Sequence, residues 1–345
     1  MNSTVNESVE LEPLLTIGIP TYNRPDKLEK CLNSVLKQAT HDIEILVSDN
    51  SDSNDSKELV SRLNTKFNYK IKYIKNEFNI GLDRNFYNLV KCASGKYLQW
   101  LSDDDELIDG AIKIIVNKIK KQNSDPVFFF LNPIGFVEQN GERIWREPFF
   151  DSHEDYSGCT PEEAVEIFDH YITFVSAYCF NRKCWLESCN HEAYFGTNLY
   201  LTYALIEYLS KYRKTIIPFQ PLVAHRLEYT GNFPALSPFT IELQNALTVH
   251  AKKCGLNAVW MRRSYVNLLR TYIFNILIGY KLGYFKSSHR NNIFRHIFMP
   301  CAKYAVFWYK FLPIILMPTF VFRLVQCIKR TIKKHVPIYK LIRSD

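Results

Sequence analysis

The chain has 345 residues, 47% of them hydrophobic and 23% charged, enough for one large core or two ordinary ones, which excludes a disordered or fibrous protein. Nine cysteines occur without a C-x-x-C pair, so neither a zinc ribbon nor a disulfide scaffold is indicated, and reduced thiols are expected. The net charge of +8 is unevenly spread: residues 262–345 carry 16 Lys and Arg against a single acid, and the remainder carries 27 against 34. Such a split is expected of an acidic body joined to a tail that meets an anionic surface.

Residues 1–12 lack a basic segment followed by an apolar one, so they read as a disordered or extended start and not as a secretion signal. From Leu14 to Pro20 runs a short apolar strand. A helix follows in which Leu28, Cys31, Leu32, Val35 and Leu36 recur at helical spacing, with Pro25 in a tolerated first-turn position. Ile43–Asp49 is the second predicted strand, Leu59, Val60, Leu63 and Phe67 mark the second helix, and Lys70–Ile74 is a third strand. Phe86, Leu89 and Val90 mark another helix, Lys96–Leu101 a strand, Ile112, Ile115, Val116 and Ile119 a helix face, and Pro126–Leu131 a strand. This alternation predicts an α/β fold with a mostly parallel central sheet covered by helices on both faces.

Residues 132–157 read as irregular, with turn signals at Asn132-Pro133 and Asn140-Gly141. Thr160, Pro161 and Glu163 form a helix start, with the helix expected to reach about Tyr171. A strand is expected over Val175–Arg182, a helix over Leu199–Tyr212 and β structure near Thr215–Leu227.

In open sheets of this type, ligands bind outside the carboxyl ends of the strands. Three predicted strand ends carry polar groups: Thr21, Tyr22, Asn23 and Arg24 after the first, Asp49 and Asn50 after the second, and Asp103, Asp104 and Asp105 after a later one. Three adjacent carboxylates repel one another unless a cation or ordered donors neutralise them. A magnesium or manganese ion is the natural partner; the other reading is a solvated turn at the start of the next helix.

The ordered series LTIGIPTYNR, EILVSDNSDSND and NEFNIGLDRNFYNLVKCASGKYLQWLSDDDEL, across residues 13–110, resembles the nucleotide-sugar domain of family 2 glycosyltransferases with the GT-A fold. The LSDDD form is similar to that of transferases in bacterial O-antigen and capsule assembly, abequosyltransferase-like proteins included. The resemblance implies a catalytic domain over residues 13–240, with a nucleotide-sugar half to residue 131 and an acceptor half from residue 132.

It implies that Pro20, Thr21, Tyr22 and Arg24 line the floor under the nucleotide and that Asp49 meets the base or ribose. Asn50 replaces the second aspartate of the usual pair, which leaves the nucleobase open. Asn79, Gly81, Arg84 and Asn85 would approach the donor, Gly81 through a tight backbone turn. Asp103 and Asp105 have the separation of the family's DXD metal-binding motif and would hold Mn2+ or Mg2+, while Asp104 would meet the sugar or share the metal. An inverting transfer also needs a general base. Gly196 and Thr197 stand where the family's acidic pair is expected, Glu192 is the nearest carboxylate, and His191 is the adjacent second candidate. His225 and Arg226, with Tyr229 and Asn232, are candidates to close over the donor.

Residues 241–345 are basic, aromatic and expected to be mainly helical. Ala305–Val325 has about the length of a membrane span, but Lys310, Pro313, Pro318 and Arg323 interrupt it. Peripheral attachment to an anionic membrane is the expectation, with a helical subdomain packed on the catalytic body as the alternative. Together with the resemblance, this implies an enzyme at the cytoplasmic face of a bacterial inner membrane. It would move a sugar from a nucleotide donor to a polyprenyl-linked oligosaccharide, with no nucleic-acid partner. The competing enzyme reading is a metal-dependent nucleotidyltransferase acting on sugar phosphates, although PTYNRPDKLEK lacks the glycines of a phosphate loop.

Overall fold

The computed structural model describes residues 12–40, 42–122, 127–158, 160–227, 238–283 and 294–324. Tyr229 and Asn232, most of the first twelve residues, and the basic stretch after 324 lie outside the described residues. The chain divides into two compact units: Met1–Thr230 with His250–Asn257, and Gly231–Val249 with Ala258–Asp345.

In the first unit the strands are β1 (Leu15–Thr21), β2 (Ile43–Asp49), β3 (Lys72–Lys75), β4 (Tyr97–Trp100), β5 (Glu106–Leu107), β6 (Phe128–Phe130), β7 (Pro133–Gln139), β8 (Glu142–Pro148), β9 (Tyr156–Gly158), β10 (Tyr178–Asn181), β11 (Thr215–Ile217) and β12 (Val223–Arg226). Among them lie helices α1 (Pro25–Leu36), α2 (Asp55–Phe67), α3 (Leu82–Cys92), α4 (Ala111–Lys120), α5 (Pro161–Phe168), α6 (Arg182–Ser188) and α7 (Tyr200–Tyr212). The main sheet has the order β3-β2-β1-β4-β10-β6-β11-β9, and a smaller sheet has the order β5-β12-β7-β8. Strands β3, β2, β1 and β4 run parallel, as the βα alternation predicts, whereas β10 lies antiparallel between β4 and β6.

Strand periodicity sorts the side chains onto two faces. Leu15, Ile17 and Ile19 of β1 join Ile43, Ile45 and Val47 of β2 and the inner stripes of α1, α2 and α4 in one apolar core. On the opposite face α3 packs so that a Cβ on Gly18 would stand in van der Waals contact with Leu89. There Trp100 meets Phe86 and Trp185 edge-on, and Phe128, Phe130, Phe168, Tyr178, Phe180 and Tyr208 continue the aromatic layer. Each such ring, fully buried, contributes about 2–3 kcal/mol of transfer free energy.

The segment expected to be irregular is a β-hairpin. Strands β7 and β8 pair antiparallel across Asn140-Gly141, both at positive φ (53° and 82°), the conformation a tight hairpin turn requires. Residues Glu142–Glu147 of β8 are all exposed, so the alternation that marks a half-buried strand is missing from its sequence. Helix α5 stops at Phe168, three residues short of the expected end, because Asp169 takes φ 45° and the chain continues as a 3-10 turn.

In the second unit helical segments run over Ala258–Leu268 and Phe274–Leu282, with a π-helical turn between them. Gln244 donates to the Tyr304 hydroxyl, and Tyr265 donates to the Thr240 carbonyl, so these buried polar groups are paired within the unit. The apolar run after Ala305 is broken: the helix Leu312–Leu316 ends where Met317 turns extended ahead of Pro318. Among the described residues no helix is long and apolar enough to cross a membrane.

Candidate active site

The carboxyl ends of β1, β2 and β4 lie side by side in the sheet order, so the turns that follow them meet. A cleft of about 230 Å³ opens there, lined by Pro20, Thr21, Tyr22 and Arg24 after β1, Asn50 after β2, Ser102 after β4, and Asn79, Gly81 and Asn85 at the start of α3. Four separate segments thus converge, and of the eleven residues that line the cleft, Leu82 and Phe86 included, eight were expected there from the sequence.

An amide network fixes the floor. Asn50 donates to the Asn79 side-chain carbonyl (3.1 Å) and to the Gly81 carbonyl (3.3 Å), and it accepts from Asn76 (2.8 Å). The main-chain N–H of Asn50 donates to the Thr21 carbonyl, which ties the end of β2 to the end of β1. Asn85 is held by Ser48, whose hydroxyl donates to it at 2.6 Å. An amide both donates and accepts, so Asn50 performs a double tie that an aspartate cannot. Gly81 has φ 86° and ψ 164°, a backbone region open in practice to glycine alone.

Not every expected residue faces the cleft. Asp49 is fully buried beneath it, accepting from the Ser51 N–H (2.7 Å) and the Tyr73 hydroxyl (2.5 Å), with Lys75 at 3.3 Å. Burial first, and then this bond to Asp49, push the Tyr73 hydroxyl pKa up. Arg84 points away, its guanidinium 5.3 Å from the Phe195 ring. His191 is 3% exposed, stacks on Tyr87 with ring centroids 5.1 Å apart, and has Nε2 2.9 Å from the Trp185 carbonyl. Burial holds its pKa below the usual imidazole value. Glu192 is exposed in a 3-10 turn, and neither it nor His191 lines the cleft.

The three aspartates occupy the turn between β4 and β5. Asp103 accepts from the Thr21 hydroxyl (2.7 Å) and pairs with Arg24 (2.6 Å), which also reaches Asp104 at 3.1 Å; Lys27 stands 3.9 Å from Asp104. Asp105 is gripped from the far half of the unit: Ser176 donates to one oxygen (2.6 Å), and His225 Nδ1 (3.1 Å) and the Arg226 N–H (3.3 Å) to the other. Ser176 was not singled out by sequence, and His225 was singled out for a different task. They stand 71 and 120 residues from Asp105, so no local pattern signals either contact.

Burial raises the carboxyl of Asp103 to about 7 against the opposing pull of Arg24. It also raises Asp105 against His225. For Asp104 burial works in the same direction, but Arg24, the Ser102 hydroxyl and Lys27 outweigh it and hold its pKa below the ordinary value. Asp103 and Asp105 are thus buried and already held by protein donors, and none of the three aspartates is among the residues lining the cleft. Three carboxylates on one short turn are the all-oxygen donor chemistry that suits a hard divalent cation.

A further acid, Asp83 in the first turn of α3, accepts from the N–H groups of Gly196 (2.8 Å) and Asn198 (3.0 Å), and so fixes the loop that carries the two residues where the acidic pair was expected. An acid in the first turn of a helix is common, so no local pattern singles out Asp83.

The mixed sheet and its three convergent strand ends define a GT-A type nucleotide-sugar transferase fold. Residues 16–187 match Glycosyl transferase family 2, and the chain belongs to that family. Over 107 residues it is 39% identical to the GalNAc(5)-diNAcBac-PP-undecaprenol beta-1,3-glucosyltransferase of Campylobacter jejuni, a match covering 31% of this chain and 34% of that one. It is 36% identical over 111 residues to the abequosyltransferase RfbV of Salmonella typhimurium, covering 32% and 33%. The chain thus spans about a third of the length of these curated relatives. Among solved structures, S. aureus TarS residues 1–349 superpose with a TM-score of 0.57 at 16% identity, covering 80% of this chain and 76% of that one, a likeness of fold.

Proposed function

We propose that the protein is a metal-dependent, inverting glycosyltransferase that passes a sugar from a nucleoside-diphosphate donor to a hydroxyl of a lipid-linked oligosaccharide in surface-polysaccharide assembly. The observation that carries this reading is the placement of the Asp103–Asp105 turn next to Thr21 and Arg24, which line a cleft floored by amides. TarS has been solved with UDP and with UDP-GlcNAc, which supports a nucleotide-sugar in the cleft. The Campylobacter relative is named for a glucosyl transfer to an undecaprenol-linked acceptor, which supports a lipid-linked acceptor. Family membership leaves the nucleotidyltransferase reading without support.

In this reading Asp103 and Asp105 hold Mn2+ or Mg2+. The cation, when bound, offsets the charge that develops on the leaving nucleoside diphosphate. Tyr22, at 44% exposure, presents a ring face at the cleft against which a base can stack. Asn50, Asn79 and Asn85 offer neutral donors and acceptors to ribose and sugar hydroxyls. Arg24 alternates between its two carboxylates and the donor phosphates, for which its fork of N–H groups is suited. Ser176 and His225 act as positioning residues that fix the orientation of Asp105.

The test is Asp105→Ala. Turnover should fall at least about a thousandfold with circular dichroism unchanged, as expected when a group needed for charge stabilisation in the transition state is lost. Normal turnover of this variant in excess manganese overturns the assignment.

A further inference from the structure

Away from the cleft, a second group of potential ligands gathers on the first unit. Glu207 projects from α7, while His250 and Cys254 stand four residues apart on the helical return His250–Asn257, so both face the same way. One carboxylate oxygen, one ring nitrogen and the thiol sulfur all lie within 4.8 Å of one another. His250 Nε2 is 3.5 Å from Glu207 Oε1 and 3.5 Å from Cys254 Sγ.

We propose that Glu207, His250 and Cys254 bind a zinc ion. Bonds of about 2.0–2.1 Å to N and O and about 2.3 Å to S, at tetrahedral angles, put ligand atoms about 3.3–3.6 Å apart. Both measured separations from Nε2 match that edge. They suit a hydrogen-bond account poorly, since a single ring nitrogen cannot serve two partners well and 3.5 Å is long for its contact with the carboxylate. One thiolate, one carboxylate and one neutral imidazole sum to −2, which the dication cancels, so the loaded site is neutral where it is partly buried.

The surroundings already hold the three ligands in place. The Tyr194 hydroxyl donates to Glu207 Oε1 at 2.6 Å. The His250 ring stands at a steep angle against the stacked pair Tyr194 and Tyr203, with each centroid 5.2 Å away, and also hydrogen-bonds the Tyr203 main chain. A metal-bound histidine commonly makes such a second bond to a carbonyl, which orients the ring. The fourth position is left to water. Zinc here would clamp a short return of the chain, whose flanking residues belong to the second unit, onto α7 of the first.

The experiment is metal analysis of untagged full-length protein grown with zinc and purified without chelator. About one zinc per chain is expected in the wild type and in Asp105→Ala, and less than about a tenth in His250→Ala and Cys254→Ser. Cobalt added to chelator-treated wild type should give a thiolate-to-cobalt charge-transfer band that Cys254→Ser lacks, with circular dichroism confirming that the variant is folded. Wild-type protein without zinc and without the cobalt band, or Cys254→Ser with undiminished zinc, overturns the proposal.

Discussion

Asp103 gives the candidate site a dependence on pH whose sign follows from its burial. An unfolded aspartate titrates near 3.9, and in the fold this one is raised to about 7. Between those values the native state binds the extra proton, so unfolding free energy falls as pH rises from about 4 to about 7. Asp103→Asn should flatten that fall, measured by urea denaturation of metal-free protein at successive pH values; an unchanged slope counts against the burial account. Asn50 illustrates the other side of the same site. Its carboxamide replaces the charge of the family's usual aspartate with a donor and an acceptor, and the loop 76–81 is tied through both. The sequence showed the substitution plainly, but it could not show that the amide is spent on the protein's own loop as well as on the cleft.

At the scale of elements, helix spacing and strand ends were legible because each is a local pattern. The stripe Leu28, Cys31, Leu32, Val35, Leu36 is buried as spaced. Thr160 caps α5 by accepting from the Glu163 N–H, with Pro161 in the first turn. Two features were not legible: the hairpin β7–β8, whose outer strand is wet along nearly its whole length and so lacks alternation, and the antiparallel insertion of β10, a non-local pairing. Close approach between elements was also hidden. A Cβ on Gly95, between α3 and β4, would stand 2.6 Å from both the N and Oγ1 of Thr16, and Gly95 N–H donates to that hydroxyl. Gly95→Ala must push β4 away from β1 at the strand that leads to the aspartates. A loss of about 3 kcal/mol is expected, read as a lower urea midpoint; a midpoint within error of wild type would show that the two strands part without cost.

At the scale of the whole molecule, the second unit exposes Met299 (67%), Trp308 (53%), Leu316 (72%), Phe320 (74%) and Leu324 (61%) within one stretch of chain. Apolar and aromatic exposure of this kind on a cation-rich segment is what an interfacial docking surface requires. Within that stretch the Lys310 ammonium packs 4.4 Å over the Phe274 ring and donates to the Arg270 carbonyl. The expected outcome is co-sedimentation with anionic vesicles that weakens about threefold or more when Trp308→Ser and Phe320→Ser are combined. Equal binding of the double variant, or no binding by the wild type, would count against this surface as a docking site.

The grip of Ser176 and His225 on Asp105 has a consequence for anyone wishing to alter which sugar is handled. Grafting residues 15–131 of this chain into a cousin would import the aspartate triplet but leave behind the hydroxyl and imidazole that aim its last member. A chimaera meant to change donor preference has to exchange the whole stretch through Arg226, or else carry matching substitutions at both distant positions.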